Sequence, residues 1–182
     1  GDKIKIASVT DFGDMEWIDL SGAFSGCSNL TTFAGGNTAA VTNMTRMFQA
    51  ATGLTSLDLS SFDTALVENM PFMFANTTNL TSLDLSSFDT ALVATMNSMF
   101  SGASGLTSLD LSSFDTALVT TMDSMFLNTT NLTSLDATGW QDVTTNPTTG
   151  VAIFLGTNAG LVVTCDQGGS PATGDLFGET CM

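Results

Sequence analysis

Leucines recur along this chain on a fixed step. The string LTSLDLSSFDTALV begins at Leu54, Leu80 and Leu106, 26 residues apart each time, and LTSLDATGW follows at Leu132 on the same step. Read backwards, Leu30 opens a copy two residues short, and Ile4 stands 26 residues before it. The first copy has diverged. Its Ile4, Ala7, Val9, Phe12, Trp17, Leu20 and Phe24 are matched to Leu54, Leu57, Leu59, Phe62, Val67, Met70 and Phe74. Six units result, 4–29, 30–53, 54–79, 80–105, 106–131 and 132–160, with 161–182 as a C-terminal cap to one domain spanning 1–182. A unit this short cannot bury its own apolar face, so neighbours must stack.

Each unit opens with L-x-x-L-x-L, the strand half of a leucine-rich repeat. Period-two alternation turns Leu57 and Leu59 inward and Asp58 outward, while Leu54 enters the core through the bend before the strand. Two buried columns are predicted, one of Leu57, Leu83, Leu109 and Leu135, the other of Phe62, Phe88 and Phe114. At the Phe62 position a common leucine-rich repeat places Asn, so stacked rings are expected instead of an Asn ladder. The second half carries M-x-x-M-F, as in Met70, Met73 and Phe74, whose spacings of three and four fit one face of a short helix. Asp19, Asn43, Asn69, Thr95 and Thr121 precede it as N-cap types. Gly26, Asn76, Gly102, Asn128 and Gly156 follow it as residues tolerant of a left-handed conformation, with Ala50 the exception. Pro71 falls in the first turn of that helix. The fold class is thus an α/β repeat: a right-handed leucine-rich-repeat-like solenoid with one short parallel strand plus a short helix or turn per unit. Leu161, Val163 and Cys165 alternate as a last strand.

Composition narrows the function. Among 182 residues, 18 acids face only Lys3, Lys5 and Arg46, a formal charge of −15. Such a surface repels phosphate backbones and anionic lipid, so nucleic-acid and membrane-surface roles are not expected. No apolar run approaches the roughly 20 residues that span a bilayer, so no membrane insertion within this chain is expected. No signal-peptide pattern is present, and the opening Gly1-Asp2 reads as a processed start. Cys165 and Cys181 are placed to close a loop in a Gly/Pro-rich tail, and a crosslink of that size contributes about 3 kcal/mol. The alternative is two thiols.

Catalysis finds no support in the residue types. The chain has no His, so the commonest general base and metal ligand are missing. Three dispersed Cys make no zinc pattern, and no phosphate-binding Gly motif occurs. The acids recur as copies of one another, whereas a catalytic pair needs two different environments. No catalytic residue and no cofactor are expected. Cys27 shares a small slot with Ala51, Thr77, Ala103, Thr129 and Thr157 and reads as a buried structural residue. The Met rows Met44, Met70, Met96, Met122 and Met47, Met73, Met99, Met125 read as core.

One pattern is suited to meeting a partner. Asp58, Asp84, Asp110 and Asp136 stack up the outer face of the sheet, flanked by Ser56, Ser82, Ser108 and Ser134. Charges about 4.8 Å apart repel by about 0.9 kcal/mol in water, so the row must be solvated, screened or bridged. Calcium is a weak candidate there, because it takes six to eight oxygens and each turn offers one carboxylate. A second row, Asp63, Asp89 and Asp115, is explained by local bonding to backbone. Phe72 is the one obvious aromatic on a polar face.

LTSLDLSSFDT, MxxMF and AFSGCSNL (Ala23–Leu30) resemble the BspA-like bacterial surface proteins, including the lipoprotein-associated type with 26-residue repeats. The resemblance covers repeats 4–160 and implies a leucine-rich-repeat module displayed at the cell surface or secreted, serving adhesion or protein binding. A structural spacer or stalk domain and a calcium-dependent surface protein stand as alternatives. The expected partner is an extracellular protein or a cationic, polymeric ligand held at Ser56, Asp58, Ser82, Asp84, Ser108, Asp110 and Asp136. A Cys165–Cys181 bridge is expected to shift the intact mass by two hydrogens on reduction and to protect both thiols from alkylation; rapid labelling without reductant would refute it.

Overall fold

The fold was described from a computed structural model, covering residues 5–11, 13, 15–140 and 155–164. Strands are short because each unit contributes one pass of chain before turning. They are β1 (Ser8–Val9), β2 (Thr32–Phe33), β3 (Ser108–Asp110), β4 (Ser134–Asp136) and β5 (Val162–Thr164). β1 pairs with β2, and β4 lies between β3 and β5; all pairings are parallel. Register follows the repeat: Leu109 lies opposite Leu135 and Leu135 opposite Val163, all three buried. The out–in–out alternation of Ser-Leu-Asp is observed in β3. Leu57 and Leu83 depart from the expected column, being only half-buried against the core. No inter-unit bridge joins the backbone of 57–59 to that of 83–85 among the described residues, so the ladder is open there.

The second half of a unit is not a helix wherever the structure describes it. Residues 71–76 form a run of turns, and no α-helix occurs among the described residues. The backbone N–H groups alternate. Those of Met73, Ala75 and Thr77 donate to carbonyls three residues back, at Met70, Phe72 and Phe74. Those of Met70, Phe72, Phe74 and Asn76 donate across to Thr95, Asn97, Met99 and Ser101 of the next unit. A helix this short carries the full nucleation cost for very few internal bonds, whereas a neighbour in register offers an acceptor at every second residue. The alternation needs left-handed residues mid-segment, which an α-helix cannot hold. Arg46, Phe72, Ser98 and Ser124 supply them, at φ between 54° and 59°. Pro71 sits just before Phe72, the place proline favours in a turn whose next residue has positive φ. The expected left-handed row is present at Gly26, Asn76, Gly102, Asn128 and Gly156, and Ala50 joins it at φ 55°.

The core is built of columns. Met44, Met47, Met70, Met73, Met96, Met99 and Met125 are fully buried, as the repeat pattern requires. Phe24, Phe48, Phe74, Phe100 and Phe126 form a continuous stack with centroids 5.6–5.9 Å apart and planes within 13°. Phe62 and Phe88 stack more loosely, at 6.4 Å. Phe62, Phe88 and Phe114 are all buried. Beside them runs a ladder of buried threonines. The Thr64 hydroxyl donates to the Asp89 carbonyl at 2.9 Å and accepts from the Asp89 N–H at 2.8 Å. Thr38 does the same with Asp63, and Thr90 with Asp115. Threonine thus bonds unit to unit, a role not anticipated from the Phe at the expected Asn position. Thr77 and Thr129 are buried in the small slot shared with Cys27, Ala51 and Ala103.

The first unit's register needs one correction. Val9 pairs with Phe33, and Ala34 bridges to Asp58, so Val9 occupies the place of Leu57 rather than Leu59. The second half keeps the expected match, with Leu20 and Phe24 bonded to the Asn43–Met47 backbone. A slip of two residues preserves which side chains face inward, so periodicity alone does not expose it. The Cys165–Cys181 bridge lies outside the described residues.

Ser98→Gly separates the two backbones. In a helix interior glycine would lower stability by about 0.5 kcal/mol relative to serine. At a left-handed position it relieves more strain than it adds in unfolded-chain entropy, and a gain of about 0.5 kcal/mol is expected in urea unfolding.

Candidate ligand-binding face

The Asp row lies where the alternation puts it. Asp58, Asp84 and Asp110 are exposed, and Asp110 sits opposite a half-buried Asp136 in the β3–β4 pairing. Each carboxylate is fixed by the serine two residues on. Asp58 Oδ1 accepts from the Ser60 N–H at 3.1 Å and hydroxyl at 2.6 Å. Asp84 does so from Ser86 at 3.0 and 2.7 Å, and Asp110 from Ser112 at 2.9 and 2.6 Å. Asp136 accepts from the Thr138 N–H at 2.9 Å. This is the local turn that Asp-x-Ser favours. One oxygen of each aspartate is therefore engaged and oriented, and Oδ2 of Asp58, Asp84 and Asp110 has no hydrogen-bond partner among the described residues.

The Ser hydroxyls, then the Ser N–H groups, hold the carboxyls of Asp58, Asp84 and Asp110 below the usual range. The Asp84 charge opposes this slightly at Asp110. Asp19 is lowered in the same way by Ser21, with a smaller contribution from Asn43. Asp58, Asp84 and Asp110 therefore stay ionised to lower pH than free aspartates do.

Ser82 and Ser108 line an open groove with Leu57, Leu83, Asp84 and Asp110, of about 380 Å³. It lies where the ladder is open, so leucine side chains form part of its lining. A second groove of about 230 Å³ adjoins it between Asp58, Ser60, Leu57 and Asp84. Ser56 is exposed but contacts none of these aspartates by a hydrogen bond; Ser60, Ser86 and Ser112 are the serines that do. Their signal was the Asp-x-Ser spacing. No group of three Asp, Glu, Cys or His side chains converges to hold a metal among the described residues. Asp63, Asp89 and Asp115 accept from the N–H of Ala65, Ala91 and Ala117, the local bonding expected of them. Phe72 is half-buried, with the Arg46 guanidinium 5.1 Å from its ring centroid, so cation and aromatic occupy each other.

Parallel units in register, cross-bonded on two sides and carrying a fixed acidic row, define a stacked-repeat protein. The chain belongs to the family described as "Mycoplasma protein of unknown function, DUF285", which it matches over residues 18–140. A search of curated proteins returned no match. Among solved structures, a leucine-rich repeat protein from Bacteroides ovatus ATCC 8483 aligns at 18% identity and a TM-score of 0.33. The alignment covers 86% of this chain and 55% of that one, so the chain spans about half that protein's length. No helix among the described residues is long and apolar enough to cross a membrane.

Carboxyls held low in the folded chain favour the fold above their ordinary pKa, and that contribution is lost as pH falls through the folded values. Stability is expected to decline below about pH 4. Replacing Ser60, Ser86 and Ser112 together by Ala should move the three carboxyl titrations up in NMR and make that decline shallower. Unchanged titrations would show that the serines do not set them.

Proposed function

We propose that this chain is a binding module of a secreted or cell-surface protein, a right-handed leucine-rich-repeat-like solenoid that holds a cationic or polymeric ligand on its Ser/Asp face. It is not an enzyme. The observation that carries the reading is the row of Asp58, Asp84 and Asp110, each oriented by its serine beside the open, leucine-lined groove. A repeated charge at a fixed rise suits an extended ligand, through weak contacts that add by multivalency. The BspA-like resemblance supports display outside the cell and a role in adhesion. A spacer role is favoured by one feature, the near-identity of units 54–79, 80–105 and 106–131, since a specific site usually breaks repetition.

A matrix-protein and polycation array with this domain, with and without calcium, identifies the ligand. Binding at the Asp face should weaken as salt rises, because exposed charges are screened over about 8–10 Å. Asp84→Asn with Asp110→Asn should lower capture at least about tenfold with the fold intact. Capture indifferent to both salt and this pair would remove the Asp face as the site. No capture by any ligand would favour the spacer.

A further inference from the structure

A second surface runs along a different corner of the repeat. Leu66, Leu92 and Leu118 occupy one position in three successive units and are 50%, 45% and 56% exposed. Ala65, Ala91 and Ala117 beside them are exposed too. This repetition is unlike the rest of the apolar pattern, in which the neighbouring Val67, Val93 and Val119 are buried. The corner is held firmly. The Val67, Val93 and Val119 N–H groups each close a turn onto Thr64, Thr90 and Thr116, and the threonine ladder locks successive corners in register. The leucines therefore form a rigid apolar stripe.

The charge around the stripe is negative. Asp63, Asp89 and Asp115 are exposed three residues before each leucine, and Glu68 is exposed two residues after Leu66. We propose that the Leu66–Leu92–Leu118 stripe docks a basic amphipathic helix of a partner protein. Three arguments select this occupant. The acidic rim complements lysine or arginine flanking an apolar face. Units rise by about 4.8 Å and a helix by 5.4 Å per turn, so across three leucines the mismatch is only about 1 Å. An extended strand presents same-face side chains about 6.7 Å apart and loses register at once. A second copy of this chain would match the rise, but it would set the same acids against themselves. The stripe, one leucine and one alanine per unit, also falls short of the roughly 800 Å² per partner typical of a stable interface. A helix reading i, i+3, i+4, i+7 needs only such a stripe.

The probe is a fluorescent leucine–lysine peptide of about 14 residues with leucines at helical spacing, alongside a scrambled peptide of the same composition. The intact chain is expected to bind the amphipathic peptide at least about tenfold more tightly than the scrambled one, with a gain of helical circular dichroism. Leu66→Ser, Leu92→Ser and Leu118→Ser together should abolish that preference, and the single change Leu92→Lys should do so by placing a cation mid-stripe. Asp84→Asn with Asp110→Asn should weaken both peptides alike where their lysines meet the acidic row, while the helical gain of the amphipathic peptide persists, which separates the two surfaces. Equal binding of both peptides, binding without helix formation, or binding indifferent to the leucine changes would overturn the proposal. So would sedimentation equilibrium showing a dimer that Leu92→Lys dissociates, which would assign the stripe to a second copy.

Discussion

Everything in this protein depends on backbone hydrogen bonds passed from one unit to the next. In the turn segment 70–77 the N–H groups alternate between the neighbouring unit and local turns, so none is left over. That division fixes the side chains. It aligns the methionines and the phenylalanine stack, and it demands left-handed residues at Phe72, Ser98 and their equivalents. Threonine reinforces the same direction, the Thr38, Thr64 and Thr90 hydroxyls each bonding both backbone groups of an Asp in the next unit. The apolar columns are thus organised by polar bonds running parallel to them.

Most of the buried residues were legible in the sequence. The choice of turns over a helix was not. Buried residues at spacings of three and four arise from a helix, but also from turns that alternate inward and across, and a single unit cannot distinguish them. No residue type pointed the other way. Positive φ is common at Asn and Gly in the row of Asn76 and Gly102, but the mid-segment row holds Arg46, Phe72 and Ser98, whose types give no warning. The deciding factor is a neighbour in register, which is a tertiary fact.

The face was legible in outline, without the serines that fix it. Alternation alone placed Asp58, Asp84 and Asp110 outside. Ser56 and its equivalents, two residues before each Asp, were read as flanking the row. The fixing serine is two residues after the Asp, as at Ser60, because an Asp side chain reaches forward to the N–H that follows. The threonine ladder could also have been found, since Thr38, Thr64, Thr90 and Thr116 recur at 26 residues and none has an exposed place. The two-residue slip of the first unit had no such signature. It leaves the inside and outside of Val9 unaltered, and only its partner, Phe33, reveals it.

Because each unit bonds to the one 24 to 27 positions further along, the long-range partners of a residue are close in sequence as well as in space. Few distant segments of chain must find one another for this architecture to form, so ordering can begin wherever two adjacent units first close and spread outward from there. The same arithmetic bears on inheritance. Units 54–79, 80–105 and 106–131 share nearly the same inner and outer residues, so duplication or loss of a whole 26-residue segment rejoins surfaces that already fit. The length of such a protein can drift over generations while the chemistry of each rung is conserved.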